Sequence, residues 1–153
     1  MDLSASYTFA APRAAVWNLL NDMDAVAACL PGCDRLEPIG EDTYRAELTL
    51  AVSAISGRYT GTVAILDKRP PDSYRIVVDG TGTSGFVKGE ATVQLVEEKA
   101  LTTVNVAGQA QVGGLIARVG QRLLSTVSKM MMDRFFSCLQ GKATLPGPAG
   151  PGV

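Results

Sequence analysis

The feature that most constrains the fold is a long run of two-residue alternation that gives way, near the C-terminus, to one stretch of helical periodicity. Between residues 33 and 112, apolar and polar residues alternate in segments separated by turns such as Gly40-Glu41-Asp42 and Glu97-Glu98-Lys99. Such alternation is typical of half-buried strands, and turns at hairpin spacing favour antiparallel pairing. Because residues Leu3 to Phe9 alternate in the same way, the sequence predicts an antiparallel sheet of about seven strands.

Helical segments flank the predicted sheet. Pro12 suits the first turn of a short helix, and a second short helix is expected to begin near Asp22 or Asp24 and to stop at Leu30-Pro31-Gly32. From Leu115 to about Gln140, apolar residues recur at steps of three and four. This spacing predicts one long helix of about 39 Å.

An antiparallel sheet with one apolar face needs a cover, and only the last predicted helix is long enough to provide it. The sequence therefore predicts an α+β domain in which a curved antiparallel sheet wraps around a long C-terminal helix, with two short helices after the first strand. Many residues expected to face inward are small, namely Ala46, Gly61, Gly89, Ala91, Gly108 and Ala110. Small side chains favour a cavity between sheet and helix, although they would also permit tight packing.

The domain is expected to span residues 1–141. The remaining residues, 142–153, are rich in Pro and Gly. Segments of this composition form neither helix nor sheet, so we expect a disordered tail or linker.

Composition excludes several classes of function. Histidine is absent from the 153 residues, which removes His-based triads and His metal ligands. The formal net charge of -1 gives no overall attraction to nucleic acid. Charge is uneven, however, since residues 1–112 carry a net charge of -5 and residues 113–153 one of +4. The basic part is either a solvated surface or a contact for anionic lipid or an acidic partner.

The three cysteines, Cys29, Cys33 and Cys138, are a small and odd number, and the chain begins with strand-like alternation rather than a secretory signal. We therefore expect free, half-buried thiols in a reducing cytoplasm. Cys29 and Cys33 form a C-x-x-x-C pattern, but zinc would need further ligands that the sequence does not offer, so no metal site is expected. No run of about 18 apolar residues predicts a membrane span.

The segment Gly80-Thr81-Gly82-Thr83-Ser84-Gly85 matches the dinucleotide-binding pattern G-x-G-x-x-G. That motif requires a helix N-terminus directly after it to hold the pyrophosphate. The residues from Phe86 to Val96 alternate like a strand instead, so we expect no nucleotide site. The segment is expected to be a flexible loop between strands, or a loop that gates a cavity mouth through Phe86.

Carboxylates are densest at Asp34, Glu37, Glu41 and Glu47. Glu47 alternates with apolar neighbours, so its side chain should face solvent. No spacing identifies a carboxylate pair in a dry site, as general acid–base catalysis requires. The sequence favours a binding protein over an enzyme.

Four stretches, together with the order of elements, carry a family resemblance. They are Leu30-Pro31-Gly32-Cys33 with Asp34, Gly40-Glu41-Asp42-Thr43-Tyr44, Gly85-Phe86-Val87-Lys88-Gly89 leading into Ala91-Thr92-Val93, and Ala110-Gln111-Val112-Gly113-Gly114. Over about residues 2–141 the chain resembles the CoxG-like proteins of carbon monoxide dehydrogenase, which belong to the START-like helix-grip superfamily, also called SRPBCC.

The resemblance implies a helix-grip fold with an elongated hydrophobic cavity. It also implies a non-enzymatic accessory role beside a molybdenum hydroxylase of the carbon monoxide dehydrogenase type, in membrane recruitment or in handling the quinone electron acceptor. No cofactor is expected beyond a bound quinone or lipid, and the location would be cytoplasmic or peripheral to the inner membrane. Two alternatives stay open: a surface-acting maturation or recruitment protein without a ligand, and a small-molecule cyclase or hydrolase of the same fold.

Candidate ligand-binding residues are apolar positions expected to face the cavity, and they are Trp17, Leu48, Leu50, Val63, Val78, Phe86, Val119, Leu123 and Val127. Trp17, the only tryptophan, could equally be a core residue. Candidate contacts to a partner or membrane are Arg118, Arg122 and Lys129, at steps of four and seven on one side of the predicted last helix. Each such residue near an anionic membrane contributes about 1 kcal/mol.

Overall fold

Each alternating segment forms a strand. A computed structural model describes residues 1–52 and 55–144. In this part of the chain the strands are β1 (Asp2–Phe9), β2 (Cys33–Gly40), β3 (Thr43–Leu50), β4 (Gly57–Arg69), β5 (Ser73–Gly82), β6 (Gly85–Glu98) and β7 (Leu101–Gly113). The helices are α1 (Arg13–Leu20), α2 (Met23–Cys29), α3 (Leu115–Arg118) and α4 (Gln121–Thr144).

The strands form a seven-stranded antiparallel sheet in the order β1-β7-β6-β5-β4-β3-β2. The first strand therefore lies beside the last, and β1 and β2 are the two edges. The short helices α1 and α2 connect these edges, and both contact α4, which also contacts β1. This arrangement confirms the α+β helix-grip fold expected from the sequence.

The second short helix begins where polar capping is available. The side chain of Asp22 accepts hydrogen bonds from the backbone N–H groups of Asp24 and Ala25, at 3.1 and 3.3 Å, and so caps α2. Asp24 lies in the first turn of α2, where a carboxylate interacts favourably with the positive end of the helix dipole. The structure thus selects Asp22 from the two expected caps.

The expected single C-terminal helix is in fact two helices, and this part of the prediction was wrong. Gly120, between α3 and α4, has a φ of +95°, a left-handed conformation that a right-handed helix cannot accommodate. The helix also continues past Gly141, which lies inside α4. Residues 142–144 are therefore helical rather than part of a tail, and the rest of the expected tail lies outside the described residues.

The interior divides into two apolar clusters at opposite ends of the strands. The closed-end cluster contains Phe9, Ala11, Val16, Trp17, Leu20, Ala25, Cys29, Ile65, Tyr74, Val93, Leu95, Val104, Phe136 and Leu139. The mouth cluster contains Ile55, Ile116, Leu124 and Val127. The C-terminal half of α4 is fixed in the closed-end cluster, where Phe136 stacks on Tyr7 with ring centroids 4.3 Å apart. The N-terminal half of α4 contributes to the mouth cluster.

Cys29 and Cys138 form a disulfide, which contradicts the expectation of free thiols. The bond links the last residue of α2 to the C-terminal half of α4 across 109 positions of sequence. Sequence spacing could not reveal it, because the two helices meet only in the folded chain. Cys33 keeps a free thiol, and its burial raises its pKa.

Removing the disulfide should lower stability. Substitution of the exposed Cys138 by Ser, or reduction with dithiothreitol, should cost about 2–4 kcal/mol, because the bond restricts a long loop in the unfolded chain. In a chain of this size that corresponds to a melting temperature lower by about 5–15 °C. Cys33→Ser is the matched control and should melt like the unchanged protein. Titration of unfolded, unreduced protein should find one free thiol, and three would contradict the pairing.

Candidate functional site

An apolar cavity of about 280 Å³ lies between the concave face of the sheet and α4. Its wall consists of Met1, Leu3, Leu48, Leu50, Ile55, Tyr59, Val78, Gly80, Val87, Ala110, Val112, Ile116, Leu124, Val127, Ser128 and Met131. A surface groove of about 330 Å³ along β1 includes Asp2, Lys129 and Asp133. Because charged groups favour water, the carbon-lined cavity is the one suited to an apolar molecule.

The space exists because two positions of the wall carry almost no side chain. Gly80 and Ala110 line the cavity, and a Cβ atom added at Gly80 would meet nothing closer than a backbone oxygen 3.9 Å away. Other small residues serve a different purpose. A Cβ atom at Gly61 would collide with the backbone of Asp79, and one at Gly108 with that of Glu90. These two glycines permit close approach of neighbouring strands rather than opening space for a ligand.

The cavity closes at one end, which we call the mouth, around α3 and the hairpin between β5 and β6. The backbone N–H of Ile116 donates to the carbonyl oxygen of Ser84 at 2.8 Å, so α3 is hydrogen-bonded to the tip of this hairpin. The hydroxyl of Ser84 donates to the carbonyl oxygen of Ser56 at 3.4 Å. Three chain segments therefore meet at the mouth.

The glycine-rich segment from Gly80 to Gly85 supplies that hairpin. Most of it belongs to β5 and β6, and the two strands are joined by a two-residue turn at Thr83 and Ser84. A strand follows the motif, as expected, and no helix N-terminus is available to hold a pyrophosphate. The expected flexible loop is thus a tight hairpin.

Four of the nine expected wall residues line the cavity, and they are Leu48, Leu50, Val78 and Val127. Val119 and Leu123 pack against the mouth cluster without forming the wall. On α4 the cavity is lined at steps of three and four by Leu124, Val127, Ser128 and Met131. The break at Gly120 separates Val119 from α4, so the stripe expected from one continuous helix does not describe the wall.

The remaining three expected wall residues lie elsewhere. Trp17 is in the closed-end cluster, where its ring meets Tyr74 edge-on at 5.4 Å. Val63 is half-buried on β4 but outside the wall. Phe86 lies on the outer face of β6 beside Gly113, on the same side as Lys88, whose ammonium is 5.9 Å from the ring centroid. Because side chains alternate along a strand, Val87 rather than Phe86 faces the cavity.

The wall residues that sequence reasoning missed include Ile55, Gly80, Ile116 and Ser128. The two isoleucines come from connecting segments, where no periodicity exists to assign a face. Gly80 belongs to the inward set of β5 with Val78, so strand alternation could have identified it. Ser128 was passed over because it is polar, although it follows Leu124 by one helical turn.

The wall carries no Asp, Glu, Lys or Arg among the residues that line it. Its side-chain hydroxyls belong to Tyr59 and Ser128. The Tyr59 hydroxyl donates to the carbonyl oxygen of Ile55 at 2.6 Å. Within the described part of the chain, no group of three or more Cys, Asp or Glu side chains is placed to hold a metal ion. The site as built binds through apolar contact.

The expected basic contacts do not share one helix face. Arg118 lies on α3 near the mouth, and Arg122 lies in the first turn of α4. Both side chains are exposed and form no ion pair with a described residue. Lys129 is instead engaged, because its ammonium donates to Asp133 at 2.9 Å.

The carboxylate of Asp133 also ties α4 to β1. It accepts a hydrogen bond from the hydroxyl of Tyr7 at 2.7 Å. Burial, and then this hydrogen bond, raise the pKa of Tyr7 to about 12. The hydrogen bonds from Lys129 and Tyr7 lower the pKa of Asp133. Lys129 therefore serves the packing of α4 and is a weaker candidate for an external contact than Arg118 or Arg122.

Known proteins share both the sequence pattern and the fold. A family model for CoxG, a protein of carbon monoxide dehydrogenase, matches residues 6–144. A solved conserved protein from Geobacillus kaustophilus has a TM-score of 0.93 at 32% identity and covers 95% of this chain and 97% of its own. No curated protein matches the chain.

More distant structures share the fold alone. A START superfamily protein from Mycobacterium smegmatis has a TM-score of 0.71 at 13% identity, with 93% of this chain and 96% of that chain covered. The Zhui aromatase/cyclase from Streptomyces sp. R1128 has a TM-score of 0.68 at 18% identity, with 100% and 99% covered.

Filling the cavity should abolish apolar binding without unfolding the protein. Gly80→Val places three carbon atoms in open space, and a β-branched residue suits a strand better than glycine does. We expect an unchanged or higher melting temperature and at least about tenfold weaker binding of the fluorophore 1-aminoanthracene, since about 1.4 kcal/mol of apolar contact suffices for that loss. Gly40→Val, also in open space but outside the wall, is the control. Equal binding by both variants would show that the probe binds elsewhere.

Proposed function

Because the chain belongs to the CoxG family of carbon monoxide dehydrogenase proteins, we propose that it is an accessory protein that binds a hydrophobic small molecule of quinone or lipid type. The ligand occupies the cavity between the sheet and α4. The protein acts beside a molybdenum hydroxylase of the carbon monoxide dehydrogenase type, to which it delivers an electron acceptor or which it helps to recruit to the membrane. The observation that carries this proposal is the carbon-lined cavity of about 280 Å³.

The volume of the cavity limits which part of a ligand it encloses. Pockets for drug-sized ligands have volumes of about 300–1,000 Å³, so this one holds a single ring system or a short chain segment. Burial of that part contributes about 25 cal/mol for each Å² of apolar surface. A longer tail would leave through the mouth, where Leu115 at the start of α3 is 55% exposed. The proposed wall keeps Leu48, Leu50, Val78 and Val127 and omits Trp17.

The proposal places the protein in the cytoplasm or at the inner membrane face. Among the described residues, no helix combines the length and apolar character needed to cross a membrane. Free thiols no longer argue for a reducing compartment, because Cys29 and Cys138 are paired and Cys33 alone keeps its thiol. The location therefore rests on the family role.

A second function, recruitment through the surface without a ligand, is favoured by Arg118 and Arg122. Both guanidinium groups are exposed next to the mouth and are not neutralised by a described carboxylate. They could contact anionic headgroups or an acidic surface of the partner enzyme. The cyclase or hydrolase alternative has no such support, because the wall holds no carboxylate or other strong acid–base group.

The ligand should be visible directly. Native mass spectrometry of protein purified without detergent should show a bound species that organic extraction releases, because the apolar wall holds it without a covalent bond. The Gly80→Val variant should lack that species and Gly40→Val should retain it. A clean mass for unchanged protein, even after incubation with quinone-containing vesicles, would favour the surface role.

Charge reversal separates the two functions. Arg118→Glu with Arg122→Glu should weaken binding to anionic vesicles at least about 30-fold, because each residue near the surface contributes about 1 kcal/mol. Co-sedimentation measures the change. Arg45→Glu with Arg134→Glu alters the net charge equally at exposed positions away from the mouth and should have little effect. Equal losses in both pairs would mean that only overall charge matters.

A further inference from the structure

One hydroxyl group faces the cavity without a partner. Ser128 lines the wall in the middle of α4 and forms no hydrogen bond with any described residue. A hydroxyl in a helix commonly donates to the carbonyl oxygen four residues earlier, as Thr126 does to Arg122 at 2.9 Å. Ser128 lacks that contact, so both its proton and its lone pairs are available to a ligand.

The surroundings make this hydroxyl distinctive. Its neighbours on the same face of α4 are Leu124, Val127 and Met131, all apolar, and Leu124 and Val127 are buried. The other wall hydroxyl, that of Tyr59, already donates its proton to Ile55. Ser128 is therefore the one side chain of the described wall with a free hydrogen-bond donor. A polar group in an apolar site without a partner costs free energy, and a ligand oxygen would remove that cost.

The position of Ser128 sets the direction in which a ligand enters. α4 begins at the mouth after Gly120, and Ser128 follows Leu124 by one turn, or about 6 Å along the helix. An oxygen atom bound to Ser128 therefore lies deep in the cavity, and the apolar remainder extends back toward the mouth. Because no basic side chain lines the wall, a buried carboxylate would be left without a counter-charge.

We propose that Ser128 is the specificity-determining residue of the cavity and that it donates a hydrogen bond to a neutral oxygen acceptor of the ligand, such as a ketone, quinone or ester carbonyl. The ligand class is then an apolar molecule that enters oxygen first, rather than a pure hydrocarbon or a fatty-acid anion. This inference rests on the proposed function, since it assumes that the cavity takes an apolar ligand.

Two small molecules of the same shape test it. Duroquinone and durene share a tetramethyl-substituted six-membered ring, but only duroquinone has carbonyl groups, and its fully substituted ring offers no open position to the Cys33 thiol. Their dissociation constants are measured by displacement of 1-aminoanthracene, whose own affinity is determined for each variant. Ser128→Ala should weaken duroquinone binding about 3- to 10-fold, the range for one neutral hydrogen bond. Durene binding should stay within about twofold of the unchanged protein, because no hydrogen bond is lost.

The control is Ser125→Ala, the same change one turn earlier on α4 at an exposed position outside the wall. It should alter neither affinity. If Ser128→Ala changes both ligands equally, or neither, the inference fails while durene binding to the unchanged protein still supports the proposed function. If neither ligand binds the unchanged protein, both the inference and the proposed function fall.

Discussion

The concave apolar face of the sheet needs a cover, and the long helix α4 provides most of it. Its 24 residues span about 36 Å, enough to cross the strands from one end to the other. At the closed end Phe136 and Leu139 are buried, and the disulfide to α2 fixes the same half. At the other end α4 meets only the small mouth cluster. The cavity lies where the helix and sheet are held apart rather than packed together.

Glycine has opposite effects at neighbouring positions of the same sheet. At Gly61 and Gly108 the absence of a side chain lets strands approach closely, and at Gly80 it leaves room in the cavity. The sequence shows these residues as equivalent small positions. Only the geometry of each Cα determines whether an added carbon would meet backbone or space. Counting small inward residues therefore predicts that a cavity can exist but not which residues form it.

The fold and family were predictable because they depend on local patterns. Alternation gave the strands, Asp22 was one of two expected caps, and the family model confirms the resemblance read from four short stretches. The site was harder, since a shift of one residue in a strand turns a side chain to the other face, as happened with Phe86 and Val87. The disulfide and the contribution of Ile55 depend on segments distant in sequence. A glycine within a helical pattern, Gly120, gave the only local sign of the break.

The two halves of α4 are under different selection. Residues that determine whether the chain folds, such as Phe136 and Leu139, lie about two to four turns away from those that determine what it holds, such as Leu124 and Ser128. Substitutions in the cavity wall can therefore accumulate without loss of the scaffold. Homologous chains with the same framework are free to diverge in ligand preference, and a designer can alter selectivity at positions 80 and 128 while leaving the disulfide-linked half of the helix untouched.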